Sequence, residues 1–408
     1  MPNRILLLAL SLGAFSIGTD GFVISGLLDR IARDFDVTTS VAGQLVTVFA
    51  LLYAISAPIL AAMTARVRRK QLLVAALIAF VVSNVLGAVA PTYEVLMLAR
   101  VLAAFGAALY IPCGIAVTVS VTTEEWRGRA IALVAGGMSA ATALGVPIGT
   151  LVGAIGSWRI TLVLVAAMAL LATIVLMVAL PEVPTPPSVT IRERLGVAAH
   201  PRVLAALLSN ALACAGVFTM FTYIAPLAMK TTKVDSTGVS VFLLVWGVAA
   251  VAGSAVGGRA ADRWGGDRAY FGSAAVLSVG LLVLALFTLP TPSGSWVGRG
   301  LFGLILAVIS VSCWSLPTGQ NHRIASLDIP APTVALSLNS SSTYLGIAAG
   351  GALGGVAMGG GSMTALTLTA TGIEVLAVIV LAVAAALFAR RRAAAGPKSA
   401  QRDLSATN

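Results

Sequence analysis

Charge is scarce in this chain of 408 residues: 10% are Asp, Glu, Lys or Arg, against 58% that are hydrophobic. Soluble proteins carry about 25% charged residues, so most of this surface does not face water and no stretch remains for a soluble catalytic domain. Cysteine is scarce too. Cys113, Cys214 and Cys313 each fall inside an apolar stretch, an odd and scattered set that gives neither a disulfide framework nor metal-ligand spacing. The two histidines, His200 and His322, lie far apart in sequence, in loops. With no nucleophile–base set and no metal cluster, an enzyme is not expected. The absence of a GxxxxGK[ST] loop leaves ATP-driven pumping without its phosphate cradle.

What is present is a dozen apolar stretches. A bilayer core about 30 Å thick takes roughly 20 residues of helix. Spans of that length are expected at Ile5–Leu28, Val41–Ala65, Leu72–Ala90, Val95–Val119, Ala130–Ile155 and Ile160–Leu180. Six more follow at Val203–Met229, Val239–Ala261, Ala269–Leu289, Val297–Leu316, Val334–Met358 and Leu366–Ala389. The first stretch exceeds a signal-peptide core and lacks a small-residue cleavage site, so it is expected to be a retained helix. The polar break 181–202, with Pro181, Pro184, Pro186 and Pro187 before Arg192, Glu193 and Arg194, reads as a linker. This predicts a six-helix half over 1–180, a second over 203–389, and a tail over 390–408. The fold class is all-α, in the membrane.

The net charge of +11 follows from topology rather than from nucleic acid. With the amino terminus inside, cytoplasmic loops and tails hold most of the 26 Lys and Arg, a roughly threefold bias in the positive-inside sense. Both termini are therefore expected in the cytoplasm. Trp158 and Trp296 at outer span ends, with Trp126 and Trp264 at inner ends, suit an interfacial aromatic belt. The halves also echo each other: AAMTARVRRK (Ala61–Lys70) leaves the second span and GGRAADRWGGDR (Gly257–Arg268) leaves the eighth. Two such halves, with a substrate site near the midplane between them, are an architecture of many secondary transporters.

Asp20 and Arg100 are charges at bilayer depth, rare unless paired or facing a wet cavity. At 1.5 Å per residue they fall roughly 6 and 9 Å from the midplane, both in the outer half, within reach of each other if their helices face. A nearby arginine favours the ionised acid and desolvation favours the protonated one. A movement that wets or dries the site would thus load or unload a proton; the bland reading is an inert pair joining two helices. Glu374 lies near the outer end of the last span and is expected to snorkel to the interface. Span 5 carries Gly136, Gly137, Gly145, Pro147, Gly149 and Gly153; span 11 carries Gly346, Gly350, Gly351, Gly354 and Gly355. Glycine permits close helix approach and Pro147 bends its helix, for static packing or for a flexing contact. Gln44, Tyr53, Tyr110, Phe218, Phe221, Tyr223, Trp246, Trp314, Gln320 and Asn339 are candidates to line a cavity for an amphipathic cargo.

These residues resemble the major facilitator superfamily, in particular its twelve-span drug:proton antiporters. Arg66–Lys70 and Asp262–Arg268 look like the two copies of its cytoplasmic loop motif. LMLARVLAAFGAA (Leu96–Ala108) looks like the span-4 motif whose arginine is linked to proton coupling, which places that role on Arg100. LGVPIGT (Leu144–Thr150) looks like the antiporter motif, and TDGFVISGLL (Thr19–Leu28) like the acid-bearing span-1 segment, which places the proton site on Asp20. AGQLVTVFALLYAISAP (Ala42–Pro58) is most like the branch of chloramphenicol, purine-base and arabinose exporters. The first loop motif has Ala65 where the family has aspartate and Arg68 where it has glycine, while the second keeps Asp262, Arg263 and Gly265, so the latch attributed to this motif falls on Asp262.

The resemblance implies alternating access in a bacterial inner membrane, with a small neutral or weakly polar molecule exported in exchange for protons. A chloramphenicol-type drug fits, and so does a purine base, nucleoside or sugar. A proton-independent facilitator and a non-transporting sensor are the rival classes. No cofactor is expected beyond the proton gradient, and no partner beyond substrate, protons and lipid; the family is usually monomeric.

Overall fold

The computed structural model describes residues 4–183, 191–289, 294–327, 329 and 331–395. Among them fifteen α-helices form and no strand does. Lipid offers no hydrogen bonds, so a crossing chain must satisfy its own backbone, and a helix does so within one segment. In order the helices are α1 (Arg4–Asp34), α2 (Thr39–Met63), α3 (Arg69–Ala88), α4 (Tyr93–Ser120), α5 (Glu124–Ala140), α6 (Val146–Ile155) and α7 (Trp158–Ala179). They continue as α8 (Ile191–Ala198), α9 (Pro201–Phe221), α10 (Ile224–Thr232), α11 (Ser236–Trp264), α12 (Gly266–Phe287), α13 (Trp296–Ala325), α14 (Pro332–Met358) and α15 (Met363–Ala395).

Twelve crossings result. The fifth is α5 and α6 joined by a π-helical turn, Ala141–Gly145, and the seventh is α9 and α10, separated at Thr222 and Tyr223. Eleven crossings are long and apolar enough to span a bilayer by composition among the described residues. The other, α14, has 27 residues. Its Ser, Asn and Thr between Ser337 and Thr343, followed by glycines, lower its mean hydropathy. The bundle covers it instead, because α14 packs against α2 on one side and α9 on the other. The protein is a multi-pass membrane protein.

The helices α1 to α7 pack with one another, as do α9 to α15. The halves meet where α2 adjoins α14, where the π turn and α6 adjoin α11, and where α10 adjoins α1. Helices starting at the end of the bundle opposite the amino terminus, here the far end, share a device. Thr38, Thr92, Ser157, Asp235, Ser295 and Ser362 each accept a backbone N–H in the first turn of α2, α4, α7, α11, α13 and α15. Each such cap is worth about 1 kcal/mol, which fixes the far-end loops. At the other, basic end, α3, α5, α9, α12 and α14 start without a side-chain cap.

One expectation needs correction and one gains detail. Trp158 is 3% exposed and is no lipid anchor. Its Nε1 donates to Asp34 Oδ2 at 3.1 Å, and Arg159, paired with the same carboxylate, lies over its ring. A buried indole N–H needs such a partner, and the result clasps α7 to α1. Trp126, Trp264 and Trp296 are exposed. The 181–202 break is not wholly irregular, since α8 lies within it and Arg194 donates to Ser337 of α14 at 3.1 Å. Pro184, Pro186, Pro187 and the tail beyond Ala395 lie outside the described residues.

Candidate functional site

Asp20 lies just past the middle of α1, and Arg100 two turns into α4. The fold brings them together. Arg100 Nη1 donates to Asp20 Oδ2 at 2.6 Å, and Nη2 reaches the Asp20 carbonyl at 3.5 Å. Their side chains are 0% and 3% exposed, respectively. The guanidinium lies over the Phe49 ring of α2, 4.4 Å from its centroid, so three helices enclose the pair. Satisfaction is incomplete: Asp20 Oδ1, Arg100 Nε and the neighbouring Thr19 Oγ1 have no hydrogen-bond partner. A buried pair offsets its desolvation only with excellent geometry and with its remaining lone pairs and protons satisfied. This one leaves a carboxylate oxygen open. Chemically, that oxygen can take a proton, which would neutralise Asp20 and release Arg100 from its counter-charge.

The glycines of the fifth crossing set the wall beside this pair. A Cβ at Gly145 would strike Thr19 Oγ1, one at Gly149 would lie 2.8 Å from Val23 Cγ2, and one at Gly153 2.5 Å from Leu27. Three glycines spaced four apart, from the end of the π turn along α6, therefore meet the row Thr19, Val23 and Leu27 on α1, which brackets Asp20. The same device recurs in the other half. Gly346 and Gly350 of α14 leave room only for the backbone and Cβ atoms of α9, from Ala211 to Thr219, and Gly354 for the Thr219 carbonyl and the Tyr223 ring. Pro147 cannot donate to the carbonyl of residue 143, and the π turn Ala141–Gly145 sits directly before it. Across the half interface, a Cβ on Gly247 of α11 would lie 2.9 Å from the Ala143 carbonyl oxygen, so the irregular turn is where the opposite half leans in.

The expected cavity residues fall into two groups. Phe218, Phe221 and Trp246 gather with Phe22 of α1: Phe22 stacks on Phe218 at 5.8 Å, and Phe221 lies 5.5 Å from Phe218 and 4.7 Å from Trp246. Tyr53 stacks on Tyr344 of α14, and Trp314 is half-buried in α13. Phe218, Phe221, Trp246 and Tyr53 lie at or beside the meeting of the halves, while Trp314 belongs to a helix that packs within the C-terminal half. The others are held by hydrogen bonds of their own, Gln44 and Tyr223 at the half interface and Tyr110 and Asn339 inside one half. Tyr110 donates to the Leu10 carbonyl at 2.9 Å over Gly13, and Tyr223 to the Gly351 carbonyl at 3.0 Å. Gln44 donates to its own helix at Ser40, beside Gly355. Asn339 bonds Gln320 and Asn321 towards the basic end. Phe22, Phe49 and Tyr344 were not anticipated, because a lone aromatic in an apolar run carries no sign of the helix it meets.

Among the conformational candidates, Gly265 adopts φ +82°, a left-handed turn between α11 and α12 that only glycine takes without strain. Arg66, Asp262 and Arg263 are exposed, and among the described residues none of the three forms an ion pair. The ion pair at that turn is Asp267 with Arg323 of α13, at 2.7 Å. Glu374 does not snorkel; it is fully buried, against Gly216 of α9.

Comparison with known proteins agrees with this architecture. The family model of the Major Facilitator Superfamily matches residues 10–327. The uncharacterised MFS-type transporter YbcL of Bacillus subtilis is 30% identical over 87% of this chain and 89% of its own. A chloramphenicol resistance protein of Streptomyces lividans is 33% identical over 64% of this chain and 68% of its own. Among solved structures, the D-xylose–proton symporter superposes with a TM-score of 0.74 at 16% identity, covering 93% of this chain and 97% of that one. With twelve crossings in two matched halves and a family match over most of its length, the chain belongs to the major facilitator superfamily, whose proteins are membrane transporters.

Proposed function

We propose that this transporter exports a small, neutral or weakly polar amphipathic molecule in exchange for protons, by alternating access. The membrane is a bacterial inner membrane, with both termini and the basic end in the cytoplasm. One observation carries the reading: Asp20 is fully buried with one oxygen on Arg100 and the other without a partner. An acid kept at membrane depth with an open oxygen is suited to take and give up a proton. Movement of α4 or α6 against α1 changes how wet Asp20 is and how near its cation lies, which links its protonation to the state of the bundle.

The half interface supports alternating access. The contacts Ser40–Gly355, Gly43–Tyr223 and Gly26–Leu243 lie towards the far end, and Tyr53–Tyr344 near the middle. This is the pattern of a carrier shut on the outside. The cargo meets the aromatic group around Phe22, Phe218, Phe221 and Trp246, whose π faces accept a flat or apolar molecule without demanding charge. The resistance protein among its relatives makes a chloramphenicol-type drug the first cargo to test. No cofactor takes part, the driving force is the proton gradient, and the working unit is a monomer in lipid.

The test is uptake of labelled chloramphenicol into everted vesicles energised by a proton gradient. Wild-type protein accumulates the drug, an uncoupler abolishes accumulation, and Asp20→Asn brings it to the background of empty vesicles. Full gradient-driven uptake by Asp20→Asn would remove the acid from the mechanism.

A further inference from the structure

The C-terminal half holds a second acid at membrane depth. Glu374, 0% exposed, lies 11 residues into α15, about 16 Å of helix from its far-end start. Neither carboxyl oxygen has a hydrogen-bond partner. A Cβ on Gly216 would lie 2.7 Å from Glu374 Oε2, so that glycine makes the room the carboxyl occupies. The titratable groups within electrostatic range are Cys214 of α9, Tyr270 of α12 and Cys313 of α13. None of them is a cation. A charged carboxylate is not kept in such surroundings without a counter-charge.

A row of polar side chains leads to this acid from the basic end. A cavity of about 750 Å³ there is bordered by Asp267, Arg323 and Ala206. From it, Arg323 donates to Gln320 at 2.9 Å, and Gln320 donates to Asn339 at 3.3 Å. The Asn339 carbonyl accepts from Ser342 and Thr343, and Asn210 donates to both of those hydroxyls at 2.9 Å. Cys214 of α9 packs against Gly346 of α14, one turn beyond Thr343, and is within electrostatic range of Glu374. These residues come from α9, α13 and α14, so the row runs inside the C-terminal half, away from Asp20 and Arg100 in the other half.

We propose that Glu374 is a second proton-binding site, exchanging its proton with the basic-end cavity through water molecules admitted along the polar lining of Gln320, Asn339, Thr343 and Cys214. The proton adds to a carboxylate oxygen lone pair and leaves by the same O–H bond, so no other reactant is needed. The site stands on its own geometry; its consequence, a second proton in each transport cycle, rests on the exchange mechanism proposed above.

Infrared spectroscopy of the purified protein in lipid nanodiscs tests it without any substrate. Wild-type protein shows a protonated-carboxyl C=O band that Glu374→Gln and Glu374→Leu both remove and that Asp20→Asn leaves in place. In D2O that band shifts by isotope exchange, and Thr343→Val slows the shift roughly five- to tenfold, the effect of losing one buried hydrogen bond. A spectrum with no Glu374-dependent band, or an exchange rate indifferent to Thr343→Val, overturns the proposal. Because Asp20→Asn is read separately, a failure of the Asp20 mechanism leaves the Glu374 band standing, and the two results are told apart.

Discussion

Tyr53 of α2 and Tyr344 of α14 lie ring over ring, with centroids 3.7 Å apart and planes 22° from parallel. Each stands fourteen residues from the far-end terminus of its helix, since α2 begins at Thr39 and α14 ends at Met358. The stack therefore seals the half interface near mid-depth, below the Ser40–Gly355 contact. An aromatic pair contributes roughly 0.5–1.5 kcal/mol beyond its buried area. Tyr53→Ala should shift the balance away from the far-end-closed form by about that amount, a two- to tenfold change in population. Accessibility of a thiol placed at position 47 to an impermeant reagent, applied at the far end, checks this; an unchanged labelling rate would contradict it.

The far-end closure can be fixed covalently. A Cβ on Gly355 would lie 3.1 Å from Ser40 Oγ, the spacing that disulfide geometry needs. In a background lacking Cys113, Cys214 and Cys313, the pair Ser40→Cys and Gly355→Cys should cross-link on mild oxidation. Transport should stop and return on reduction. Cross-linking with transport intact would show that this contact need not open.

The Asp20–Arg100 pair predicts a non-additive cycle. Removing one partner of a buried pair costs about 3–5 kcal/mol because the other charge is stranded. Arg100→Gln alone should therefore lower thermal stability in detergent, and Asp20→Asn with Arg100→Gln should recover most of the loss. Transport should stay absent in both. Equal melting temperatures for the single and double variants would mean that the two charges do not sense each other.

The glycine stripe admits no added volume. At Gly149 even a methyl group would crowd Val23 and Thr161, and overpacking costs typically 1–3 kcal/mol. Gly149→Val should lower the melting temperature and push α6 off α1 beside Asp20, reducing turnover more than substrate affinity. Gly136, with open space around it, should tolerate alanine without loss, since alanine also favours the helix; a comparable loss there would contradict close packing as the cause.

The parts of this site that were legible in the sequence are those where chemistry conflicts with surroundings. A carboxylate and a guanidinium inside apolar runs, at matching depth, put Asp20 within reach of Arg100 provided their helices face, which the fold supplies, and regular glycines mark the fifth crossing and α14 as close-packed. Contact partners were not legible where a residue type fits the membrane anyway. Phe49 over Arg100 and Tyr344 over Tyr53 are single aromatics among many, and only the crossing of helices selects them. Glu374 was placed by its distance from a span end, which is the wrong variable: its helix face turns it towards Gly216 of α9. Trp158 sat at a span end as an anchor would, but Asp34 of another helix claims its N–H. Asp262, favoured by its loop motif, stands exposed while Asp267 takes Arg323.

Proton release on substrate binding measures the central claim most directly. Purified wild-type protein in weakly buffered solution, given chloramphenicol, should release protons in a pH-dependent amount, and Asp20→Asn should release fewer by the share that Asp20 carries while still binding the drug. Identical release by both proteins would contradict the account, since the proton would then be held somewhere other than on Asp20.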